Sequence, residues 1–388
     1  MKRLLQLPLI WRVLIAIVLG ISLGFITPAW IVRIFVTFND IFGQLISFCV
    51  PLIILALVSA AIAETEGNAG RMLLLTLGLA YLSTVVAGLV SYGTGAWLFP
   101  KWITPTDLAP SSADAPDLSA YFAIKLPPTL DVLSALALAF MLGLGIIRTK
   151  AEIIRGGIRE LRDIIMLVIE KVVVPLLPLY IFGIFLNMTA VGEIGNILHT
   201  FLYVVLVIFV LHVLWLVGLY LIAGAVSGRN PFRLMYTMLP AYLTALASSS
   251  SAATIPVTLR QAKQTGARAS VVDFVVPLCA NIHLSGSCLK IVACSLALLI
   301  MLGQPFSFGL FFGFICLVAI TLVAAPGVPG GAIMAALPLL ASVLGFTPEM
   351  QALMVSLYIA MDSFGTACNV MGDGALTTIV DSLTKEKE

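Results

Sequence analysis

Apolar stretches long enough to cross a bilayer make up almost the whole of this chain. They run near residues 9–27, 34–61, 72–98, 129–149, 163–188 and 198–226, with more to about residue 384. A helix needs about 20 apolar residues to span the hydrocarbon core. Inside that core every main-chain N–H and C=O must be satisfied within the structure. These two constraints leave an all-α polytopic membrane protein. Composition agrees, with 61% hydrophobic and 10% charged residues among 388, outside the range of a soluble domain. The first stretch follows Lys2 and Arg3 in the manner of a signal peptide. Its length, and the lack of a convincing cleavage site, read as a retained membrane helix.

Charge placement sets an orientation. Arg148, Lys150, Arg155, Arg159 and Arg162 cluster in one expected loop, Arg229 and Arg233 in a second, and Arg260, Lys263 and Arg268 in a third. Alternate connections are poor in basic charge: 189–196 has none, and 101–125 offsets its lysines with Asp107, Asp114 and Asp117. The excess of basic residues in cytoplasmic loops then places both termini in the cytoplasm. No basic–aromatic patch points to nucleic acid. The cysteines (Cys49, Cys279, Cys288, Cys294, Cys316, Cys368) lie in apolar segments without CxxC spacing and read as small packing residues.

The second half differs from the first. One apolar stretch, about 235–262, is interrupted by Ser248-Ser249-Ser250-Ser251-Ala252-Ala253-Thr254-Ile255-Pro256. Another, about 308–345, is interrupted by Ala325-Pro326-Gly327-Val328-Pro329-Gly330-Gly331. Such backbone survives at membrane depth only when buried in protein or lining a polar cavity. Each interrupted stretch precedes a helix with an expected polar break, at His283–Ser287 and at Thr366–Asp373. The recurrence suggests inverted repeats around a midplane site, the layout of secondary transporters. Hydroxyls and free N–H groups at a serine-rich tip suit a carboxylate. A glycine-rich tip suits a movable gate.

Near the end, Asp362, Thr366, Asn369 and Asp373 fall within about 60° of one another on a helix. Intramembrane carboxylates are costly and mark functional sites, so this stripe reads as a place that holds a cation or an ammonium group. His283 reads either as a hydrogen-bonded core residue or as a proton-coupling group. Lys290 reads either as neutralising a carboxylate or as snorkelling. His199 and His212 receive no role.

At these residues the chain resembles the dicarboxylate/amino acid:cation symporter family. The run ending Thr254-Ile255-Pro256-Val257-Thr258 matches its first re-entrant hairpin. Gly327-Val328-Pro329-Gly330 with Ala332-Ile333-Met334 matches the second, and Asn369-Val370-Met371-Gly372-Asp373 matches the Asn-x-x-Gly-Asp signature of its last helix. The resemblance is weaker before residue 130. It implies eight transmembrane helices, two re-entrant hairpins, a homotrimer in the lipid of the cell (inner) membrane, and elevator transport. Residues 1–70 and 129–190 would form the scaffold, from helices 1, 2, 4 and 5. Residues 71–128 would supply helix 3 of the transport domain and an external loop. Residues 191–388 would hold the rest of that domain: helix 6, hairpin 1 (about 233–262), helix 7 (about 269–303), hairpin 2 (about 308–345) and helix 8 (about 349–384).

By position, the resemblance gives Asp362 the substrate's amino group, with Thr366 and Asn369 close by. Ser250 and Ser251, with amides near Val328 and Gly330, would face the α-carboxylate. A sodium site would use Asp373, with Asn369, Cys279 and His283 contributing partly through backbone. Two departures matter. Acidic-substrate members carry an arginine where this chain has Gly365 or Ser249. Where others have Asn and Asp on helix 7, this chain has His283 and Ser285, which weakens at least one sodium site and leaves His283 as the candidate proton site. The implied function is sodium- or proton-coupled uptake of small neutral amino acids such as serine, threonine or alanine, with no enzymatic activity. The alternatives are the same fold carrying another amino acid or a dicarboxylate, an intramembrane hydrolase using Ser285 or Ser287 with His283, and a passive channel.

Overall fold

The computed structural model describes residues 9–63, 70–103, 118–130, 132–192, 194–323, 325 and 330–384. Among them the secondary structure is helical throughout, without a strand. The first helices are α1 (Leu9–Gly24), α2 (Ala29–Ala63), α3 (Gly70–Leu98), α4 (Val132–Thr149), α5 (Glu152–Val168), α6 (Val174–Ala190) and α7 (Ile194–Ser227). They are followed by α8 (Pro231–Ser248), α9 (Ser251–Gln264), α10 (Ala269–Ile282), α11 (Ser285–Met301), α12 (Phe308–Val323), α13 (Gly331–Ser342), α14 (Pro348–Ala360) and α15 (Asp362–Leu383).

Local chemistry sets several boundaries. Before α8, the Asn230 side chain accepts from the N–H groups of Phe232 (3.0 Å) and Arg233 (3.1 Å), and Pro231 opens the helix. That is an N-cap followed by the one residue type that lacks an N–H to satisfy. Thr347 caps α14 in the same way, ahead of Pro348.

By length and apolarity alone, three described helices can cross a membrane: Met72–Lys101, Thr200–Ser227 and Ala269–Met301. The count rises to five if each bent pair is one span. Leu74, Leu82, Leu202 and Leu206 are exposed on α3 and α7, as expected of lipid-facing positions. At one end of the same two helices, Lys101 sits over the Trp97 ring at 3.7 Å and Trp102 stacks on Tyr203 at 5.5 Å. Aromatic and basic side chains of this kind mark the membrane–water boundary. The molecule is therefore an integral membrane protein.

Two expectations need correction. The basic cluster from Arg155 to Arg162 is not loop but α5, because its apolar residues recur at helical spacing and bury Ile158 and Ile165. The break in the last helix falls at Met361, where α14 and α15 meet at 62°, and not at Thr366–Asp373, which is continuous helix. The glycines of that helix let its neighbours pack close to the backbone. A Cβ at Gly372 would meet the His283 ring at 2.6 Å, and one at Gly374 would meet Met238 at 2.6 Å.

Helices α8 and α9 pack on each other as a hairpin, as do α12 and α13, and each hairpin is followed by a broken pair, α10/α11 and α14/α15. In the first half, α1 packs on α6, and α2 packs on α4, α5 and α6. Helix α15 is lined by α7, α8, α9, α10 and α11. Helix α11 is buried along its whole length, so the two broken elements meet at the centre of the fold. The segment 118–130 runs along α2, where Arg33 donates to the Ser119 carbonyl (2.9 Å) and Gln44 accepts from the Leu126 N–H (2.9 Å).

Candidate functional site

The two helix breaks meet because their backbones touch. A Cβ at Gly286, in the first turn of α11, would lie 2.8 Å from the Gly365 carbonyl and 2.7 Å from Cys368 Cβ on α15. The orphan N–H groups at the start of α11 have no side-chain cap of their own. Asn369 supplies one from α15, its Oδ1 accepting from Gly286 N–H (2.8 Å) and Ser287 N–H (3.3 Å). Asn369 Nδ2 donates to Ser287 Oγ (3.0 Å), which also accepts from the Tyr358 hydroxyl (2.9 Å). From α7, the Trp215 indole donates to Ser285 Oγ (3.1 Å), and His212 Nε2 lies 3.0 Å from the Gly286 carbonyl. A carbonyl only accepts, so that nitrogen carries the hydrogen.

Both hairpin ends close on the first turn of α15. Ser249 takes the left-handed conformation (φ 52°) between α8 and α9, and its hydroxyl lies 2.7 Å from the Ser363 hydroxyl. Ser250 caps α9 through Ala253 N–H (3.3 Å), and Ser251 is buried. From the second hairpin, Gly330 (φ 76°) donates its N–H to Asp362 Oδ2 at 2.7 Å. Val328 lies outside the described residues.

The two carboxylates of the stripe have different partners. Asp362 Oδ1 is 3.4 Å from the ammonium of Lys290, which also contacts the Met361 carbonyl (3.3 Å) and sits 3.6 Å from the centre of the Tyr358 ring. Lys290 is fully buried and so does not snorkel. Its side chain crosses the bare backbone of Gly365, where a Cβ would run into Lys290 Cε and Nζ. Asp373 Oδ1 is 2.9 Å from His283 Nδ1, and His283 Nε2 is 3.0 Å from Ser83 Oγ on α3. Asp373, His283 and Ser83 are all buried. Cys279, in the last turn of α10, is buried, and its carbonyl accepts from His283 N–H (2.9 Å).

The structure thus brings Gly330 and Lys290 onto Asp362, Ser249 onto Ser363 and Asn369 onto the first turn of α11. At the other end of the stripe it pairs Asp373 with His283, whose N–H donates to the Cys279 carbonyl. Ser250, Ser251 and Thr366 are placed on the adjoining turns of α9 and α15. Sequence reasoning missed Ser83, Trp215 and Tyr358, which sit on other elements with no local signal. It left Lys290 undecided, although a lysine in so apolar a run is a signal in itself. Among the described residues, no group of three or more His, Cys, Asp or Glu could hold a metal. A cation here would rely on main-chain, amide and hydroxyl oxygens with Asp373, the kind of set that suits a hard cation.

The serine/threonine transporter SstT of Enterococcus faecalis is 26% identical, the match covering 100% of this chain and 94% of that protein. The protein of the same name from Acinetobacter baumannii is also 26% identical, over 98% of each chain. Residues 9–383 match the sodium:dicarboxylate symporter family, and the chain belongs to that family.

Proposed function

We propose that the chain is a secondary active transporter that takes up small neutral amino acids, of the serine, threonine and alanine class, by coupling to a cation gradient, and that it is not an enzyme. The observation that carries this reading is the meeting of both hairpin ends on the first turn of α15, through Ser249–Ser363 and Gly330–Asp362. A small solute bound there would touch both hairpins and both broken helices at once, so its binding can be coupled to their movement. Asp362 would take the substrate ammonium. Ser250, Ser251 and amides near Val328 and Gly330 would face the carboxylate, and Thr366 and Asn369 would lie alongside. Helices α1, α2 and α4–α6 would form a trimeric scaffold in the cell membrane. Helices α3 and α7–α15 would move against it, with α12 and α13 as the gate and both termini in the cytoplasm.

The charge count supports a neutral substrate. The Asp362 end of the stripe holds one carboxylate, Asp362, and one ammonium, Lys290, so it is neutral as it stands. A zwitterion leaves it neutral, whereas an acidic amino acid adds one buried negative charge without a partner and a dicarboxylate adds two, at a cost of several kcal/mol. The names of the relatives, serine/threonine transporters, support serine and threonine within that class.

Sodium is the proposed coupling ion, held by Asp373 with oxygens of Asn369, Cys279 and His283. A second reading has its own observation: His283 lies within hydrogen-bond distance of Asp373. A proton on that pair would then take the place of the sodium ion. Uptake of a labelled amino acid panel into proteoliposomes, with sodium and proton gradients imposed separately, tests both readings. The expected result is gradient-driven serine, threonine or alanine uptake. Robust dicarboxylate uptake without any neutral amino acid uptake would refute the proposal.

A further inference from the structure

Lys290 is a fully buried cation beside the place where the substrate is proposed to bind, and balancing the charge of Asp362 leaves most of its hydrogen-bonding capacity unused. Its ammonium has three hydrogens to donate. Its two oxygen contacts, Met361 O at 3.3 Å and Asp362 Oδ1 at 3.4 Å, are long, since good charge-assisted bonds measure about 2.8 Å. The Tyr358 ring face at 3.6 Å supplies the remaining stabilisation. The pair is therefore enclosed but loose. Asp362 also accepts the Gly330 N–H at 2.7 Å on its other oxygen, a contact that does not involve Lys290.

We infer that Lys290 reads the substrate's carboxylate: a zwitterion opens the Lys290–Asp362 pair, its ammonium takes Asp362, and its carboxylate takes Lys290. The inference rests on the neutral amino acid reading above. Opening the pair alone would strand two buried charges, which is strongly unfavourable. A ligand with both charges repairs both ends. An amine without a carboxylate repairs Asp362 and strands Lys290, and a carboxylate without an amine does the reverse. Selectivity then comes from the penalty on incomplete ligands as much as from contacts to the right one. Gly365 belongs to the same device, because any side chain there would occupy the space through which Lys290 reaches Asp362.

The test compares serine with ethanolamine, which is serine without the carboxylate, and with 3-hydroxypropanoate, which is serine without the amine. Binding to the purified full chain is measured in wild type, Lys290→Met and Lys290→Gln. Glutamine keeps an N–H donor toward Asp362 and guards against misfolding in the methionine variant. Wild type is expected to prefer serine over either fragment by about 100-fold, the worth of one desolvated charged partner. In both variants serine affinity should fall at least about tenfold while ethanolamine affinity holds or rises. Serine and ethanolamine changing by the same factor would overturn the inference, because Lys290 would then only support or compete for Asp362. So would a wild type that binds ethanolamine as tightly as serine. A wild type that binds none of serine, threonine and alanine overturns the neutral amino acid reading first and this inference with it.

Discussion

Replacing His283 tests the lower half of the stripe most directly. The imidazole is buried and clamped: one nitrogen lies 2.9 Å from Asp373, the other 3.0 Å from Ser83, and its Cε1 packs where a Cβ at Gly372 would come within 2.6 Å. Truncation in His283→Ala removes a charge-assisted bond and leaves the Asp373 carboxylate buried without its partner. Breaking a buried pair from one side costs about 3–5 kcal/mol. In His283→Asn the shorter amide can still donate to Asp373 but no longer reaches Ser83, so the loss is one neutral bond and some packing, about 1–2 kcal/mol. Thermal unfolding of the detergent-solubilised protein should rank wild type above Asn above Ala. Under the proton-coupled reading proposed above, His283→Asn should also alter the pH dependence of serine uptake more than its substrate affinity. An alanine variant as stable as wild type would refute the pairing. An unchanged pH profile in the asparagine variant would return His283 to a structural role.

Two further perturbations follow from close contacts elsewhere. Asp381, whose side chain is fully buried, is held by Arg268 (Nε, 2.7 Å) and more loosely by Arg229 (3.5 Å). Arg268→Ala should cost about 2 kcal/mol, below the full buried-pair penalty because the arginine is 42% exposed. Chemical unfolding measures this, and a loss under about 0.5 kcal/mol, the scale of a surface pair, would contradict it. Gly286→Ala should destabilise by about 1–3 kcal/mol, since its Cβ would press on the Gly365 carbonyl, whereas the same change at Gly313, with nothing within 4 Å, should be neutral. Equal melting temperatures for the two variants would show that α11 and α15 are not in backbone contact.

Much of the fold was legible because hydropathy and backbone breakers act locally. The apolar runs near 72–98 and 198–226 became Gly70–Leu98 and Ile194–Ser227. Of the break expected at His283–Ser287, only residues 283 and 284 are non-helical, and Ser285–Ser287 form the first turn of α11 because Asn369 caps it from α15. The break at Met361 was not legible. Nothing in Tyr358-Ile359-Ala360-Met361 disfavours a helix, and what lines the bend is tertiary: Lys290 at the Met361 carbonyl and Gly330 at Asp362. In the basic cluster the charges mask a helical period of apolar residues, Ile158, Leu161 and Ile165. On the stripe, residue types and spacing gave the carboxylates, but partners across helices, such as Ser83 for His283 and Trp215 for Ser285, carry no sequence signature.

The two carboxylates nonetheless share one logic that joins sequence to packing. Both bases come from a single broken element, seven residues apart at His283 and Lys290, while the acids lie eleven residues apart on α15. The order is crossed: the earlier base meets the later acid, and the later base meets the earlier acid. That is the pattern of antiparallel segments, in register at the Gly286–Gly365/Cys368 contact. The spacings differ because His283 stands in the non-helical break, where an extended chain advances about 3.3 Å per residue against about 1.5 Å in a helix. His283 meets Asp373 directly, and Lys290 reaches Asp362 across the bare backbone of Gly365. One register therefore fixes both pairs, and a substitution that slides α11 along α15 would disturb the proposed substrate end and the proposed cation end together.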